Sequence, residues 1–336
     1  MSFHDPLVGP EPTGLPEGFF DRFVFNLHPP DATVPSVLLG FGCYPARDVA
    51  DGFAVLVTGS EQRNVRFSTE LSATDGAGAG PFAFEVVEPM RTWRLALAPN
   101  PTGLELDVVW QARAPAWHGR VGVRAGDVET AAFDHLFQSG RYTGTLAVDG
   151  VRQQVDGWYG QRDRSRGMRT MAGGQGLHLW VQVQLEDRSV GFLLVEDRAQ
   201  QRLLLEGAVM HEDGRLDPVV DVRHALRFTA GLDLEGGTFE VTTASGVRYV
   251  LDADGSAGGG FMAGAGYGGH HGKVLGRDHL EHDRYPLDGS VTPRTLDSAL
   301  TDRLASFTTR DGRTGVGVLE FAHSRSHSYA YRPTLT

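Results

Sequence analysis

The chain has 336 residues, of which 40% are hydrophobic and 22% charged, as in ordinary globular proteins. This length exceeds the roughly 250 to 300 residues over which a single hydrophobic core usually extends, so we predict two domains. The formal net charge of −11 disfavours binding to nucleic acid and to anionic membrane surfaces, because both repel an acidic protein.

A single cysteine, Cys43, excludes an intramolecular disulfide and a zinc site with several thiolate ligands. Its apolar neighbours at residues 38–42 indicate a buried structural thiol rather than an activated nucleophile. Residues 1–16 lack the basic start and apolar run of a signal peptide, and no run of about 18 apolar residues occurs that could form a transmembrane helix. We therefore expect a cytoplasmic protein without a membrane span.

Short apolar and β-branched runs, separated by Gly, Pro and Asp-Gly turns, fill almost the whole chain. This pattern is typical of an antiparallel β protein, in which Asp-Gly pairs supply the positive-φ residues of hairpin turns. The predicted strands cover residues 22–28, 37–42, 53–58, 63–71, 82–87, 92–98, 104–113, 142–148, 178–185, 190–196, 202–210, 225–229, 238–243, 248–251 and 315–322.

Two of these strands indicate what their faces meet. Residues 104–113 are apolar on one face and mostly polar on the other, which indicates a half-buried strand. In the strand at 178–185 one face is aliphatic, and the other carries His178 and Trp180 together with two glutamines. A face with aromatic and amide groups suits a cavity wall, and an ordinary solvent-exposed face is the alternative.

The most distinctive segment spans residues 135–169 and reads HLFQSGRYTGTLAVDGVRQQVDGWYGQRDRSRGMR. A strand, an Asp-Gly turn and a second strand lead into Gly-Trp-Tyr-Gly at residues 157–160, and charged and hydroxyl side chains follow. Period-two alternation places Asp163 and Ser165 on one face of the second strand and three arginines on the other: Arg162, Arg164 and Arg166.

This segment resembles the hydroxyneurosporene synthase-like family, also called carotenoid hydratase-like. The family pattern Q-x-G-x-x-x-G-x-x-x-V-D-G is matched at residues 138–150, and G-x-R-D-H-S-W-G-x-R is matched at residues 160–169. Two positions depart from the pattern, because Arg164 and Arg166 replace its His and Trp. The end of the chain, at residues 311–321, also looks like the closing hairpin of the family.

The resemblance implies a protein built from two lipocalin-like barrels. Together with the strand pattern, it leads us to expect an all-β fold of two lipocalin-like antiparallel β-barrel domains. We place the N-terminal domain at residues 1–156 and the C-terminal domain at residues 157–336.

The resemblance also implies acid-catalysed chemistry, in which a C=C bond is protonated and the carbocation is captured by water or by another double bond. Such chemistry needs a carboxylic acid held protonated by burial, and aromatic faces that stabilise positive charge. We predict that Asp163 is the catalytic acid. The alternative is a structural role, in which Asp163 forms bidentate ion pairs with Arg162 or Arg169.

Further candidates are aromatic or polar residues of this segment and of the later strands and loops. The aromatic ones could also be plain core residues. The candidate substrate-binding residues are Trp158, Tyr159, Arg162, Ser165, Arg169, His178, Trp180, Tyr267 and His271.

Four histidines cluster after the glycine-rich run at residues 264–269. His270 and His271 are adjacent, so on a strand they would point to opposite faces, which disfavours a shared metal ion. We predict that His270 is a pocket-lining catalytic acid or base, with a metal site or a solvated loop as alternatives. The glycine run lacks the following helix that a dinucleotide-binding loop requires.

Two more regions have sequence signals of their own. Residues 295–307 carry leucines at four-residue spacing, which predicts either a helix or a loop followed by a strand. The glycine-rich stretches at residues 76–80 and 255–269 predict flexible loops.

These features predict a hydratase, cyclase or isomerase that needs no cofactor and acts on a terpenoid, steroid or lipid-like substrate. A non-catalytic carrier of such a ligand is the main alternative, and a structural protein whose arginine-rich segment fixes domain packing is another. The expected partner is a hydrophobic small molecule, and the sequence carries no signal for an oligomeric state. An enzyme requires Asp163 or His270 in an apolar cavity, whereas a carrier requires a cavity without an ionisable group near its centre.

Overall fold

The computed structural model describes residues 7–9, 14–125, 128–169, 175–290, 297 and 299–335, with the side chains of residues 123–131 and 169 left aside. Within these residues the chain is all β, as predicted, and its helical segments are two 3-10 turns, Pro45–Arg47 and Leu71–Ala73. None of the residues described forms a helix with the length and hydropathy of a membrane span.

Every strand predicted from the sequence overlaps an observed strand. The strands of the first half are β1 (Phe19–Leu27), β2 (Ser36–Tyr44), β3 (Val49–Val57), β4 (Glu61–Glu70), β5 (Gly78–Ala79), β6 (Phe82–Glu88), β7 (Thr92–Leu97), β8 (Leu104–Ala112), β9 (Trp117–Ala125), β10 (Val128–Val148) and β11 (Val151–Arg169). Those of the second half are β12 (Gln175–Gln184), β13 (Arg188–Asp197), β14 (Arg202–His211), β15 (Leu216–Phe228), β16 (Leu234–Thr243), β17 (Arg248–Asp254), β18 (Gly259–Phe261), β19 (His279–Pro286), β20 (Thr301–Thr309) and β21 (Thr314–His323).

The first sheet is strongly curled and contains twelve strands in the described part of the chain. Its order is β19-β4-β3-β2-β1-β11-β10-β8-β7-β6-β5, and β9 pairs with the first half of β10. The curl brings distant strands together, so that the ring of Phe67 on β4 lies 6.2 Å from that of Phe82 on β6. The concave side therefore encloses an aromatic core, and the first half is a curled half-barrel.

The second sheet closes into an eight-stranded antiparallel barrel. Its order runs β17-β16-β15-β14-β13-β12-β21-β20, and β17 pairs with β20 to complete the ring. Aliphatic side chains from alternate positions, such as Leu179, Val181 and Phe192, fill the interior. The predicted all-β fold of two lipocalin-like halves is confirmed, with a half-barrel followed by a closed barrel.

The two halves are interlocked along the chain. The strand β11 pairs over most of its length with β10, and from Arg162 to Met168 with β1. From the later half, β19 returns to pair with β4 of the first sheet. The predicted domain boundary between residues 156 and 157 falls inside β11, whereas the change of sheet lies between β11 and β12. As a division into domains, that boundary stays a prediction.

Alternation along the strands sorts the side chains as the sequence predicted. On β8, Leu106, Val108 and Trp110 are buried, while the residues between them are more exposed. On β12 the aliphatic face lies inside the barrel, so His178 and Trp180 lie on the barrel's outer surface. That surface is covered by the first sheet, which makes it a second buried face.

The helix proposed as one alternative for residues 295–307 is wrong. Residues 301–309 form β20, which pairs with β21, and residues 295, 296 and 298 lie outside the described residues. A four-residue spacing is also a multiple of two, so leucines at that spacing share a face of a strand as well as of a helix. The glycine-rich stretches are loops interrupted by the short strands β5 and β18.

At Gly160, β11 and the end of β1 approach each other closely. A Cβ atom at this position would lie 1.7 Å from the backbone oxygen of Asn26, which also accepts a hydrogen bond of 2.9 Å from the Tyr142 hydroxyl. Because the obstacle is backbone, β1 and β11 can tolerate only glycine at their present separation.

We expect Gly160→Ala to lower the free energy of unfolding by about 1 to 3 kcal/mol, the usual cost of overpacking a filled site. Urea denaturation followed by circular dichroism measures the change. Gly59→Ala is the matched control, because a Cβ there has no atom within 4 Å. Equal stabilities of the two variants would contradict the packing argument.

Candidate active site

A partly open cavity of about 60 Å³ lies between the half-barrel and the outer surface of the barrel. Strands β1, β10 and β11 supply one wall, and β12, β13 and β21 supply the other. Its apolar lining residues are Val24, Phe133, Trp180, Leu193 and Leu300. Its polar lining residues are Arg22, His135, Asp163, Ser165, His178, Tyr267 and Glu320.

The register of three strands determines the polar groups of the first wall. Ser165 on β11 pairs with Arg22 on β1 and with His135 on β10, so these three side chains share one face of the sheet. Asp163, two residues before Ser165 on the same strand, lies on that face as well. This is the face that period-two alternation assigns to Asp163 and Ser165.

A row of directly paired residues crosses the barrel wall. Glu320 on β21 pairs with Trp180 on β12, which pairs with Leu193 on β13, which pairs with Glu206 on β14. On the other side, Glu320 pairs with Asp302 on β20. Three carboxyl groups and one indole therefore lie in line on the surface that faces the half-barrel.

His135 joins the two walls. Its Nε2 lies 3.1 Å from Asp163 Oδ1, and its Nδ1 makes a short contact with the carboxylate of Glu206. Burial by itself lowers the pKa of His135, but the charges of Asp163 and Glu206 outweigh it and raise that pKa to about 10. At neutral pH the group is therefore an imidazolium held between two carboxylates.

Gly119 makes room for this arrangement. It pairs with His135 across β9 and β10, and a Cβ atom here would lie 1.6 Å from Glu206 Oε2. The carboxylate of Glu206 therefore packs against bare backbone of the first sheet. This close approach lets a barrel residue reach a histidine of the half-barrel.

A second polar group lies on the barrel wall. His178 Nε2 is 3.1 Å from Glu320 Oε1. The indole N–H of Trp180 is buried and has no hydrogen-bond partner among the described residues. Because a buried N–H without a partner carries a desolvation cost, a bound molecule with an oxygen atom would gain from accepting this hydrogen bond.

A loop residue closes the cavity. Tyr267 lies between β18 and β19, and its hydroxyl accepts a hydrogen bond of 3.0 Å from Arg22. The guanidinium of Arg22 is 4.9 Å from the centre of the Tyr267 ring. The same tyrosine also lines an open cleft of about 320 Å³ on its outer side. Tyr267 therefore separates the cavity from that cleft.

The structure brings five of the predicted site residues together. They line the one cavity just described and are Asp163, Ser165, His178, Trp180 and Tyr267. Trp158 and Tyr159 lie earlier on β11 and do not line it: Trp158 packs against the core of the half-barrel, and the ring of Tyr159 lies 5.1 Å from the guanidinium of Arg113.

Arg162 lies on the opposite face of β11, inside the half-barrel. Its guanidinium is fully buried, 5.0 Å from the ring centre of Trp93 and 5.7 Å from that of Trp110. It therefore does not form the ion pair with Asp163 that the structural alternative proposed, and Asp163 contacts His135 instead. The side chain of Arg169, the other partner proposed, lies outside the described residues.

The two adjacent histidines are separate from this cavity. His270 lines the open cleft, with its Nδ1 3.2 Å from Glu281, and burial lowers its pKa. His271 is buried behind Tyr267, 5.2 Å between ring centres, and burial lowers its pKa to about 4. Within the described residues, no group of three or more His, Cys, Asp or Glu side chains could hold a metal ion.

The sequence interpretation missed four titratable residues of this site: His135, Glu206, Asp302 and Glu320. For His135 a signal exists, because it alternates with Phe133 and Phe137, and an ionisable residue on an otherwise aromatic strand face needs a partner. The others depend on strand register and on the contact between the two halves. Neither can be read from local sequence.

The sequence matches the model of one known protein family. A family model described as a family of unknown function, DUF8625, matches residues 11–330. The chain belongs to this family. No curated protein sequence matches it.

Solved structures show the same fold. An AttH protein from Nitrosomonas europaea is similar with a TM-score of 0.57 and 12% identity, covering 90% of this chain and 92% of that one. CghA in complex with Sch210972 is similar with a TM-score of 0.51 and 12% identity, covering 93% and 90%. Kievitone hydratase from Nectria haematococca aligns with a TM-score of 0.48 and 10% identity, covering 95% and 94%. The likeness to the first two structures establishes the fold alone.

The raised pKa of His135 makes the stability of the fold depend on pH. Its ion pairs contribute fully below the ordinary value of 6.5 and are lost as the pH rises towards about 10. We expect His135→Gln to cost about 3 kcal/mol at pH 6, because the buried carboxylate of Glu206 and the partly exposed one of Asp163 lose their cation. We also expect the variant to lack part of the fall in stability between pH 7 and pH 10.

Urea denaturation at several pH values tests this expectation. His327→Gln is the control, because His327 is exposed. A stability difference between wild type and His135→Gln that stays constant from pH 6 to pH 10 would show that the imidazolium is not the stabilising form.

Proposed function

We propose that this protein is a cofactor-independent acid–base catalyst, a hydratase, cyclase or isomerase, that acts on a double bond of a terpenoid, steroid or lipid-like molecule. One observation carries the proposal. Two hydrogen-bonded acid–base groups, Asp163–His135–Glu206 and His178–Glu320, meet at a single cavity that Arg22, Ser165 and several apolar or aromatic side chains also line.

The setting suits proton transfer to and from carbon. Charges act more strongly across a small cavity than in bulk water, so fixed carboxylates stabilise a developing carbocation. The ring of Trp180 adds an aromatic face, which also attracts positive charge. The apolar residues Leu193 and Val24 give a hydrophobic substrate a surface to bury.

Asp163 has the role of proton acceptor in this proposal, in place of the acid role that the sequence suggested. Its oxygen is held by the imidazolium of His135, and a carboxylate paired with a cation accepts a proton rather than donates one. When water adds to the carbocation, the proton released from water passes to Asp163. In an isomerase, the same carboxylate takes a proton from a carbon next to the cation.

Two further observations support this reaction class. Residues 135–169 resemble the carotenoid hydratase-like family, whose chemistry is of this kind, and Asp163 matches the aspartate of its pattern. The fold is the double lipocalin-like one that the resemblance implies.

The size of the cavity limits how a substrate binds. Its volume of about 60 Å³ is smaller than the roughly 300 to 1,000 Å³ of ordinary ligand pockets. The open cleft behind Tyr267 provides about 320 Å³ more. We infer that the reacting end of the substrate enters the cavity when Tyr267 moves aside, while the rest lies towards the cleft.

Tyr267→Ala should join the cavity to the cleft and increase binding of an apolar fluorescent probe, because the separating ring is gone. Tyr267→Phe is the matched control, since it keeps the ring and loses only the hydrogen bond from Arg22. Fluorescence titration measures both. Equal probe affinity in the two variants would argue against Tyr267 as the barrier.

Isotope labelling tests the reaction itself. Native mass spectrometry of protein from its own host identifies a bound apolar molecule, and related unsaturated molecules are then incubated with the protein in H₂¹⁸O and in D₂O. We expect ¹⁸O or deuterium in the product, and Asp163→Asn should lower the rate about 10² to 10⁴-fold while binding is retained. Asp107→Asn is the control, because Asp107 is exposed and pairs with Arg94 on the surface.

The outcomes separate the candidate functions. A bound molecule without label incorporation would identify a carrier. Label incorporation that Asp163→Asn leaves unchanged would remove Asp163 from the mechanism. A protein without ligand and without turnover across the panel would contradict the proposed function.

A further inference from the structure

Asp302 and Glu320 are neighbouring carboxyl groups on the barrel surface that faces the half-barrel. Asp302 on β20 and Glu320 on β21 are directly opposite each other in the antiparallel ladder, so their side chains share one face. Glu320 lines the cavity, while Asp302 is 7% exposed and lines a separate small apolar space next to Leu304. The proposed reaction so far has a proton acceptor but no assigned donor.

The surroundings of the pair favour one shared proton. Two carboxylates in contact in a buried place cannot both be ionised without a large electrostatic cost. Glu320 also contacts His178 at 3.1 Å, whereas the influences on Asp302 are its burial and Glu320. Burial first, and then the neighbouring Glu320 carboxylate, hold the pKa of Asp302 well above its ordinary value. Burial beside Glu320 therefore favours the protonated form of Asp302, which can share its proton with the Glu320 carboxyl directly opposite it.

Two basic residues, His28 and Arg303, also lie near Asp302. His28 lines the same small space, and burial lowers its pKa to about 4, so it is neutral and offers no cation. Arg303 follows Asp302 on β20, and burial lowers its pKa; its side chain belongs to the other face of the strand. Among the described residues, the basic side chain within ion-pair distance of this carboxyl pair is His178, through Glu320.

We propose that Asp302 and Glu320 form a proton-sharing carboxyl pair that is the proton donor of the reaction, with Glu320 delivering the proton to the substrate. This inference rests on the proposed function. Glu320 is the catalytic acid because it reaches the cavity, and Asp302 is a positioning residue that stores the proton. His178 fixes the orientation of Glu320 through the contact at Oε1.

The proton step balances without a cofactor. The proton of Asp302 passes to Glu320 across their hydrogen bond, the O–H bond of Glu320 then breaks, and a C–H bond forms from the π electrons of the substrate. Both carboxyl groups are then negative, and that of Glu320, which lines the cavity, stabilises the new carbocation. Water adds to the cation, Asp163 accepts the released proton and passes it to solvent, and solvent returns one proton to the carboxyl pair.

Infrared spectroscopy tests the stored proton independently of activity. At pH 7 the wild type should show the C=O stretch of a protonated carboxylic acid, and Asp302→Asn should lose it. The matched control Asp107→Asn should keep it. A wild type without this band, or a band that persists in Asp302→Asn, would overturn the proton store at Asp302.

Kinetics tests the donor role with the substrate found by the labelling experiment. Glu320→Gln should lower kcat about 10² to 10⁴-fold, with a smaller change in KM, because the amide cannot donate a proton to carbon. Asp302→Asn should lower kcat and move the basic limb of its pH profile to lower pH, since the remaining carboxyl no longer shares its proton. A purely structural role of Asp302 would leave the position of that limb unchanged.

The failures of the two proposals are distinguishable. If the wild type incorporates no label from D₂O or H₂¹⁸O, the proposed function is wrong and the donor role falls with it. If the wild type is active and Glu320→Gln keeps wild-type turnover, only the donor assignment is wrong. Because the infrared band is recorded on the wild type, the storage of the proton can be judged even where a variant fails to fold.

Discussion

The two faces of β11 lie in two different buried environments, the interior of the half-barrel and the space between the two halves. The rest of the site depends on this constraint. On one face, Arg164 forms a fully buried bidentate pair with Asp21, both bonds being 2.9 Å. On the other face, Asp163 enters the space between the two halves. A register slip of one residue would exchange these faces and leave both charges unpaired. The ion pair inside the half-barrel therefore also fixes the position of the carboxylate in the cavity.

Burial between the halves, together with the neighbouring Glu320, explains why the pKa of Asp302 is raised, and at His135 neighbouring carboxylates outweigh burial and raise the pKa as well. On the surface that faces the half-barrel, the barrel carries a row of carboxyl groups. The imidazolium of His135, a residue of the half-barrel, contacts one of them, Glu206. Replacing such groups with apolar residues of equal volume is often neutral or stabilising in proteins, so stability alone gives no reason for them. Clusters of perturbed carboxyl and imidazole groups in a cavity are typical of sites that transfer protons.

Local patterns in the sequence predicted the strands and the faces of their side chains. Alternation placed Asp163 with Ser165 and His178 with Trp180, and each pair lies where its pattern indicated. The contact between His135 and Glu206 was out of reach of such patterns, because the two residues are 71 positions apart and meet only through strand register and the docking of two sheets. The open shape of the first half had the same cause, since closure depends on which distant edges pair.

The departures from the family pattern take on a physical meaning in this structure. Arg164 and Arg166 replace a histidine and a tryptophan, and both lie on the face of β11 that turns away from the cavity. There, Arg164 contacts Asp21, and Arg166 lies 3.9 Å from the same carboxylate. The substitutions therefore alter how the core of the half-barrel is held together and leave the cavity face of the strand intact. The imidazole in contact with Asp163 is that of His135 on the neighbouring strand.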